Sequence, residues 1–262
     1  MKAVILCGGM GTRLRQETEL RPKPMVEIGQ RPIVWHIMKS YAHHGIKDFV
    51  LCLGYKGSQI KDYFLNYEAM NCDFSLRLGD TSSIEVHRPE GKGHDEADWS
   101  VTLADTGQHA MTGARVKRVQ RYVGAERFML TYGDGVSDVD IESLLAYHKS
   151  HGKIGTLTGV APPGRFGELV LEDKRVRTFK EKPKGGALIN GGYFVFEPEF
   201  FDYLSADDDC VLERSPLEKL AEDGELMVYE HTGFWQCMDT YRDLKLLRDL
   251  DEKGEAPWKK WT

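Results

Sequence analysis

Glycines and cations are concentrated in the first 25 residues, directly after a short apolar run. Residues 3–7 are apolar with β-branched members, which is typical of a buried strand, and Gly8, Gly9 and Gly11 follow at once. A loop without side chains lets backbone N–H groups approach a ligand, and Arg13 and Lys23 lie in the same segment. The segment therefore predicts a polyphosphate site, for which a nucleoside triphosphate is the natural candidate.

Two better-known phosphate loops do not fit this glycine spacing. A dinucleotide fingerprint needs a glycine at position 14, which is Leu14, and a P-loop needs a Gly-Lys-Ser/Thr sequence that the chain lacks. Pro22 and Pro24 restrict the backbone on either side of Lys23, so we expect this lysine on a stiff extended piece. An ordinary strand-to-helix turn and a solvated lysine remain the alternatives.

Asp134 and Asp239 are the candidate metal ligands, and each follows a strand-like segment. Asp134 lies in a Gly-Asp-Gly turn after residues 127–132, and Asp239 ends an aromatic-rich piece before a helix. Ligands of open α/β sheets bind beyond the carboxyl ends of the strands, so we expect Asp134 beside the first glycine loop. One or two carboxylates plus phosphate oxygens are the usual ligands of Mg²⁺ in phosphoryl chemistry. A plain turn former remains the alternative for Asp134.

The elements that must position these residues alternate between strands and helices. Residues 32–45 open with proline, end with glycine and place apolar residues on one face, which predicts a helix. Alternating strands and helices imply a parallel sheet with right-handed crossovers. We expect one domain over residues 1–262, with an irregular insertion around 68–99 that we interpret as an oligomer contact. Further strands are predicted over 48–53, 127–132, 156–160, 167–171 and 175–180, and further helices over 58–66 and 141–151.

Length and composition are typical of a soluble enzyme without a nucleic-acid surface. The 262 residues are 41% hydrophobic and carry a net charge of −6, so any cationic site is local. Five cysteines without a CxxC pair argue against a disulfide framework. No apolar run reaches the length of a membrane span or of a signal-peptide core. We therefore expect a cytoplasmic protein that binds neither nucleic acid nor membrane.

These motifs resemble the signature of the sugar-1-phosphate nucleotidyltransferases. The usual LAGGxGTRL and KPKPMV motifs correspond to LCGGMGTRL at residues 6–14 and RPKPMV at residues 21–26. Cys7 replaces the usual alanine and Arg21 the usual first lysine, which keeps small size and positive charge. The resemblance covers essentially the whole chain. It implies a three-layer α/β/α fold with a mostly parallel mixed sheet, the Rossmann-like nucleotidyltransferase fold.

The resemblance also implies roles for individual residues. Arg13, Lys23 and Lys182 would be catalytic, and Asp134 and Asp239 would bind Mg²⁺ as the cofactor. The EKP segment at 181–183 and the NGGY segment at 190–193 match pieces that cover the sugar phosphate in this family. The implied sugar-binding residues are Glu181, Lys182, Asn190, Gly191 and Gly192. The implied nucleotide-binding residues are Leu6, Gly8, Gly9, Met10, Gly11, Thr12, Arg13, Lys23, Thr112, Arg115 and Gly133.

Residues 105–118 bear on the choice of base. DTG at 105–107 and MTGxRxKR at 111–118 are similar to the cytidylyltransferase members of the family rather than to the thymidylyltransferases. Cytosine presents an N4 donor with O2 and N3 acceptors, which the hydroxyl of Thr112 and the guanidinium of Arg115 suit. Thr112 is also placed to cap a helix, and a cap with a solvated basic face is the alternative reading.

The reaction that the resemblance implies converts CTP and α-D-glucose 1-phosphate to CDP-glucose and pyrophosphate. A homo-oligomer and a place in O-antigen dideoxyhexose synthesis are implied with it. The sugar-phosphate oxygen attacks the α-phosphorus in line, so positioning and charge neutralisation carry the rate. The alternatives are a UTP- or dTTP-dependent hexose-1-phosphate nucleotidyltransferase, a metal-dependent glycosyltransferase and a non-catalytic nucleotide-binding subunit.

Overall fold

A computed structural model describes residues 1–87, 96–162, 168–172, 175–180 and 187–261. Its strands, in chain order, are β1 (Lys2–Leu6), β2 (Glu27–Ile28), β3 (Arg31–Pro32), β4 (Asp48–Leu53), β5 (Asp73–Arg77), β6 (Asp80–His87), β7 (Ser100–Asp105), β8 (Phe128–Tyr132), β9 (Gly135–Ser137), β10 (Gly155–Val160), β11 (Glu168–Glu172), β12 (Arg175–Lys180), β13 (Ile189–Phe196), β14 (Leu226–His231) and β15 (Trp235–Cys237).

The helices cover both long amphipathic segments and single turns. They are α1 (Arg15–Thr18), α2 (Ile33–His43), α3 (Gly57–Leu65), α4 (Tyr67–Asn71), α5 (Thr112–Arg118), α6 (Gln120–Val123), α7 (Ile141–His151), α8 (Ser215–Glu222) and α9 (Tyr241–Glu252). Short 3₁₀ helices span Thr12–Leu14, Lys23–Met25 and Pro198–Tyr203.

The central sheet has the strand order β14-β10-β13-β8-β1-β4-β7. Strand β1 runs parallel to both neighbours, β4 and β8, and the β4–β7 and β10–β14 pairs are also parallel. Strand β13 is antiparallel to β8 and β10. The predicted mostly parallel mixed sheet between helices is confirmed, and the carboxyl ends of β1, β4, β7 and β8 lie at one edge.

Side chains of β1 alternate between two buried clusters, one on each face of the sheet. Ile5 packs in a cluster with Ile33 and Tyr41 of α2, whereas Val4 packs with Val116 of α5 and Phe194 of β13. All six side chains are fully buried. Because each such side chain stabilises the fold by about 1.5–3 kcal/mol relative to exposure, both helical layers are held firmly against the sheet. This burial on both faces explains the continuous apolar run in β1.

The predicted helices and strands agree closely with the structure. The helix predicted over 32–45 is α2, with Pro32 at its N-cap and Gly45 just beyond its end at φ +79°. The helix predicted over 141–151 is α7, whose N-cap Asp140 accepts a hydrogen bond from Ser143 N at 3.1 Å. The carboxylate supplies an acceptor that the first turn of a helix lacks, which fixes where α7 begins.

Part of the segment predicted to be irregular forms a hairpin. Strands β5 and β6 pair antiparallel, with Phe74 opposite Val86 and Leu76 opposite Ile84. Phe74, Leu76 and Ile84 are exposed, so no buried face marks these strands as sheet members. Residues 88–95 of the same segment lie outside the described residues. No helix in the described part of the chain is both long enough and apolar enough to span a membrane.

Candidate active site

A pocket of about 420 Å³ opens at the edge of the sheet where β1 and β8 end. The chain leaves β1 through Gly8 and leaves β8 through Gly133, and Gly133 N donates to Leu6 O at 3.0 Å. A Cβ atom on Gly133 would lie 2.7 Å from Leu6 O, so only glycine allows this approach. The first glycine loop and the segment that carries Asp134 are therefore neighbours.

The pocket brings together all the residues predicted to bind nucleotide and metal. Those in its lining are Leu6, Gly8, Gly9, Met10, Gly11, Thr12, Arg13, Lys23, Thr112, Arg115, Gly133, Asp134 and Asp239. Asn190, Gly191 and Gly192 lie beside it, and Asn190 Nδ2 donates to Tyr132 Oη, a group of the pocket wall, at 3.2 Å. Glu181 and Lys182 lie outside the described residues.

A small two-stranded pairing brings the two aspartates together across a long stretch of chain. Asp134 directly precedes β9, and Asp239 follows β15 by two residues. Strands β9 and β15 are antiparallel, with Gly135 opposite Cys237, and Met238 N donates to Asp134 O at 2.8 Å. Backbone pairing thus fixes both acids at the same end of the pocket.

The Lys23 ammonium bridges the two aspartates. Its Nζ donates to Asp134 Oδ2 at 2.6 Å and to Asp239 Oδ1 at 2.7 Å, and its side chain is 11% exposed. Arg13 adds a second cation, since its guanidinium donates to Asp239 Oδ2 at 2.6 Å. Arg21, from the same cation-rich segment, instead pairs with Glu27 and a neighbouring acid away from the lining.

The ion pairs shift the pKa values of their members in opposite directions. Burial acts to lower the pKa of Lys23, but the Asp134 and Asp239 carboxylates outweigh it and raise that pKa above its usual value. Burial acts to raise the pKa of Asp239, but hydrogen bonding to Lys23 and the charges of Lys23 and Arg13 lower it. Both shifts favour the charged forms of Lys23 and Asp239 at neutral pH.

Lys23 is held on a turn rather than on the extended piece that the sequence predicted. Pro22 is extended, at φ −66° and ψ 148°, but Lys23 begins the 3₁₀ helix Lys23–Met25. Met25 N donates to Pro22 O at 2.8 Å, which closes the turn. Pro24 occupies the second position of this helix, where its missing N–H costs nothing. The prolines restrict Lys23 as expected, with a different backbone conformation.

The glycines of the first loop serve different purposes. A Cβ atom on Gly8 would lie 2.2 Å from the Arg115 guanidinium, whereas a Cβ on Gly9 would have nothing within 4 Å. Gly11 has φ +62°, and a Cβ there would also lie 2.7 Å from Thr18. Gly8 is therefore required by protein packing and Gly11 by both backbone conformation and packing.

The buried guanidinium of Arg115 fastens three loops at the carboxyl edge of the sheet. It donates to Gly8 O after β1, to Leu53 O at the end of β4, and to Thr106 Oγ1 and Gly107 O after β7, at 2.7–3.1 Å. A planar guanidinium with five N–H donors suits such a convergence of acceptors. Arg115 lines the pocket, and its hydrogen bonds hold the glycine loop in place.

Thr112 does not cap helix α5. Met111 occupies the N-cap position and Thr112 is the first helical residue. Its hydroxyl instead donates to Glu213 Oε2 at 2.7 Å and accepts from Leu212 N at 2.9 Å. The hydroxyl is used to join α5 to the segment before α8, and this contact replaces a capping bond within the helix.

Tyr132 and Glu213 are the residues that sequence reasoning missed. Tyr132 lines the pocket, and its hydroxyl donates to Glu213 Oε1 at 2.6 Å. The position of Tyr132 directly before Gly133 was a usable signal, because it ends the strand that leads into the site. Glu213 lies in a charged surface segment, so only the folded chain reveals its contacts.

The two aspartates suit a hard divalent cation that also binds phosphate oxygens. Both carboxylates reach one position, the one that Lys23 Nζ occupies, and Mg²⁺ needs only one or two carboxylates when phosphates complete its shell. Among the described residues, no group of three or more His, Cys, Asp or Glu side chains is arranged to hold a metal. The donor set therefore fits a metal–phosphate site rather than a structural zinc site.

Comparison with known proteins identifies the family. The family model described as nucleotidyl transferase matches residues 2–240. The chain belongs to this family. It is 54% identical over 264 residues to the glucose-1-phosphate cytidylyltransferase of Salmonella typhi, and 44% identical over 261 residues to a Bacillus subtilis protein named "Probable glucose-1-phosphate cytidylyltransferase". Both alignments cover 100% of each chain. The chain is therefore a nucleotidyl-transferring enzyme.

Solved structures agree on the fold at lower sequence identity. HddC from Yersinia pseudotuberculosis, solved with GMP-PN, superposes with a TM-score of 0.68 at 21% identity, over 95% of this chain and 98% of that one. A UDP-glucose pyrophosphorylase solved with UDP-glucose has a TM-score of 0.67 at 16% identity, over 97% and 98%. These similarities confirm the Rossmann-like nucleotidyltransferase fold.

Proposed function

We propose that the chain converts CTP and glucose 1-phosphate to CDP-glucose and pyrophosphate. The observation that carries the proposal is the Lys23 bridge between Asp134 and Asp239 beside the glycine loop, which gives a charged pocket suited to polyphosphate. The choice of CTP and glucose is supported by two relatives, aligned over their full lengths, whose names specify this reaction.

Direct transfer requires the protein to hold and neutralise phosphates. The sugar-phosphate oxygen attacks the α-phosphorus in line, and pyrophosphate leaves with the electron pair of the broken P–O bond. Arg13 and the backbone N–H groups of the glycine loop would hold the triphosphate, and Lys23 would neutralise phosphate charge. Lys182, outside the described residues, is proposed to meet the attacking phosphate. Burial, with Asp239 and Asp134 adding to it, raises the pKa of Cys237 to about 11, so this thiol stays protonated.

Asp134 and Asp239 are proposed to hold Mg²⁺. The ion would supply a positive charge that aligns the phosphates and stabilises the charge developing on them. On the sugar side, Asn190, Gly191 and Gly192 are proposed to cover the pyranose together with Glu181, which lies outside the described residues. Support for this placement is the hydrogen bond from Asn190 Nδ2 to the pocket residue Tyr132.

We also propose a domain organisation, a cellular location and an oligomeric state for the enzyme. Residues 1–262 are proposed to form one domain, because both buried clusters span from β1 to segments late in the chain. A cytoplasmic location is proposed together with these substrates. A homo-oligomer is proposed from the exposed apolar residues of the β5–β6 hairpin, Phe74, Leu76 and Ile84.

A matrix of nucleotides and sugars tests the proposal. Purified chain is incubated with Mg²⁺, with CTP, UTP, dTTP, ATP or GTP, and with several hexose 1-phosphates, and pyrophosphate release is measured. We expect the fastest release from CTP with glucose 1-phosphate, and an Asp134→Asn variant at least about a hundredfold slower. Faster release from UTP or dTTP would refute the choice of base. No release from any pair would refute the reaction.

A further inference from the structure

Two hydroxyl groups of the pocket wall donate to one carboxylate. Thr112 Oγ1 donates to Glu213 Oε2 at 2.7 Å, and Tyr132 Oη donates to Glu213 Oε1 at 2.6 Å. Thr112 and Tyr132 line the pocket, whereas Glu213 is exposed in the segment before α8. The carboxylate therefore joins the start of α5 to the end of β8.

The direction of every hydrogen bond in this cluster is fixed. Leu212 N donates to Thr112 Oγ1 at 2.9 Å, and Asn190 Nδ2 donates to Tyr132 Oη at 3.2 Å. An ionised carboxylate can only accept, and each hydroxyl has a single proton to give. Both protons therefore point to Glu213. What the two hydroxyls can offer a ligand is a lone pair.

We propose that Glu213 determines which base the pocket accepts, by fixing Thr112 as a hydrogen-bond acceptor. This inference rests on the proposed function and on the family resemblance, which implies that Thr112 binds the nucleotide on the side of its base. Cytosine presents the N4 amine as a donor, and thymine presents the O4 carbonyl oxygen as an acceptor at the same position, as uracil does. The lone pair of Thr112 accepts from the amine, whereas against a carbonyl oxygen it leaves two acceptors facing each other.

The energetic effect depends on the carboxylate and not on the hydroxyl alone. A threonine hydroxyl that is free to rotate can donate or accept, so it discriminates poorly between an amine and a carbonyl oxygen. With its proton held by Glu213, Thr112 loses that freedom. A site that leaves a polar group of the wrong substrate unpaired rejects that substrate strongly. Glu213 acts through Thr112 and is therefore a specificity-determining positioning residue.

Tyr132 provides a matched control for the other half of the cluster. Asn190 Oδ1 accepts from Gly192 N at 2.8 Å, which orients the amide so that Nδ2 faces Tyr132. Tyr132→Phe removes the hydrogen bond from the Tyr132 hydroxyl to Glu213 but leaves the hydrogen bond between Thr112 and Glu213 in place. We expect this variant to change the KM for glucose 1-phosphate and to keep the preference for CTP over UTP within about twofold of wild type.

The test compares kcat/KM for CTP and for UTP in matched variants. Glu213→Ala removes the acceptor of the Thr112 hydroxyl, which is then free to rotate. We therefore expect the ratio of kcat/KM for CTP to that for UTP to fall about tenfold, the fold-change that corresponds to about 1.4 kcal/mol. Thr112→Val should lower the ratio similarly, and adding it to Glu213→Ala should produce no further fall. Glu218→Ala is the charge control, because in the described structure the exposed Glu218 side chain makes no hydrogen bond to a pocket residue.

The outcomes separate this inference from the proposed function. If wild type releases pyrophosphate from CTP but Glu213→Ala keeps the wild-type ratio, the inference alone is wrong. A tenfold fall in Glu218→Ala or in Tyr132→Phe would also overturn it, because the effect would then be unspecific. For a variant too slow to assay, dissociation constants for CTP and UTP from calorimetry measure the preference between the two bases at the binding step. Wild type inactive with every nucleotide would refute the proposed function instead.

Discussion

Replacing Lys23 with methionine should affect metal binding and turnover in opposite directions. The Lys23 ammonium donates to Asp134 and Asp239 at 2.6 and 2.7 Å, so a divalent cation on the same carboxylates must displace it. Methionine keeps an unbranched apolar side chain of similar length and removes the competing charge. We therefore expect the nucleotide-free Lys23→Met variant to bind a divalent cation more tightly than wild type.

The expected size of the effect follows from the two hydrogen bonds. A hydrogen bond to a charged group contributes about 1.5–3 kcal/mol. Solvent weakens both ion pairs of Lys23, because the side chains of Asp134 and Asp239 are 33% and 23% exposed. If only one of the two hydrogen bonds is counted, at the low end of this range, the dissociation constant of the divalent cation should be at least about tenfold lower in Lys23→Met than in wild type. Turnover should fall at least about a hundredfold, because the variant loses a cation that neutralises phosphate charge.

Electron paramagnetic resonance of free Mn²⁺ measures this binding without nucleotide or activity. Wild type, Lys23→Met and the control Lys245→Met are titrated, since Lys245 is an exposed lysine on α9. The control should match wild type in both metal binding and turnover. Equal or weaker Mn²⁺ binding by folded Lys23→Met would refute the idea that lysine and metal share the carboxylates.

Three further predictions concern the fold around the site. Burial lowers the pKa of His36 from about 6.5 to about 4 in the folded chain. As the pH drops, the imidazole is therefore protonated in the unfolded chain before it is protonated in the folded chain. The free energy of unfolding should fall by up to about 3 kcal/mol between these two pKa values. Urea midpoints between pH 7 and pH 4 measure this fall, and His36→Gln should remove most of it. Gly8→Ala should lower both the urea midpoint and turnover, because its Cβ would meet the fixed Arg115 guanidinium, whereas Gly9→Ala should keep the wild-type midpoint. Trp258→Ala should destabilise the chain by about 3–5 kcal/mol in urea unfolding, because the indole is 1% exposed in the main buried cluster. A midpoint unchanged by Trp258→Ala would contradict its place in that cluster.

Local patterns were sufficient to predict the elements that carry the site. The apolar run of β1 is followed by glycines because the strand is buried on both faces and its loop approaches Arg115 and Thr18 closely. Residues 48–53 form β4, and residues 141–151 form α7, as their periodicity predicts. Parallel strands then bring the predicted pocket residues to one edge, since their carboxyl ends must coincide.

Contacts between distant segments could not be predicted from local patterns. The basic run that contains Arg115 was also consistent with a solvated face, and only the fold reveals the carbonyl oxygens to which the guanidinium donates. Glu213 meets Thr112 because the segment before α8 packs against the start of α5. The β5–β6 hairpin was missed although Phe74 and Leu76 alternate with polar residues, because glycine and charge dominate the surrounding sequence.

We expect the glycine loop, Asp134 and Asp239 to form one metal and nucleotide site. Anomalous diffraction from crystals grown with Mn²⁺ and a non-hydrolysable CTP analogue tests this arrangement. The crystals should show one strong anomalous peak about 2.1 Å from carboxylate oxygens of both aspartates, with the triphosphate against the glycine loop. A peak bound to neither aspartate, or a nucleotide bound away from that loop, would contradict it.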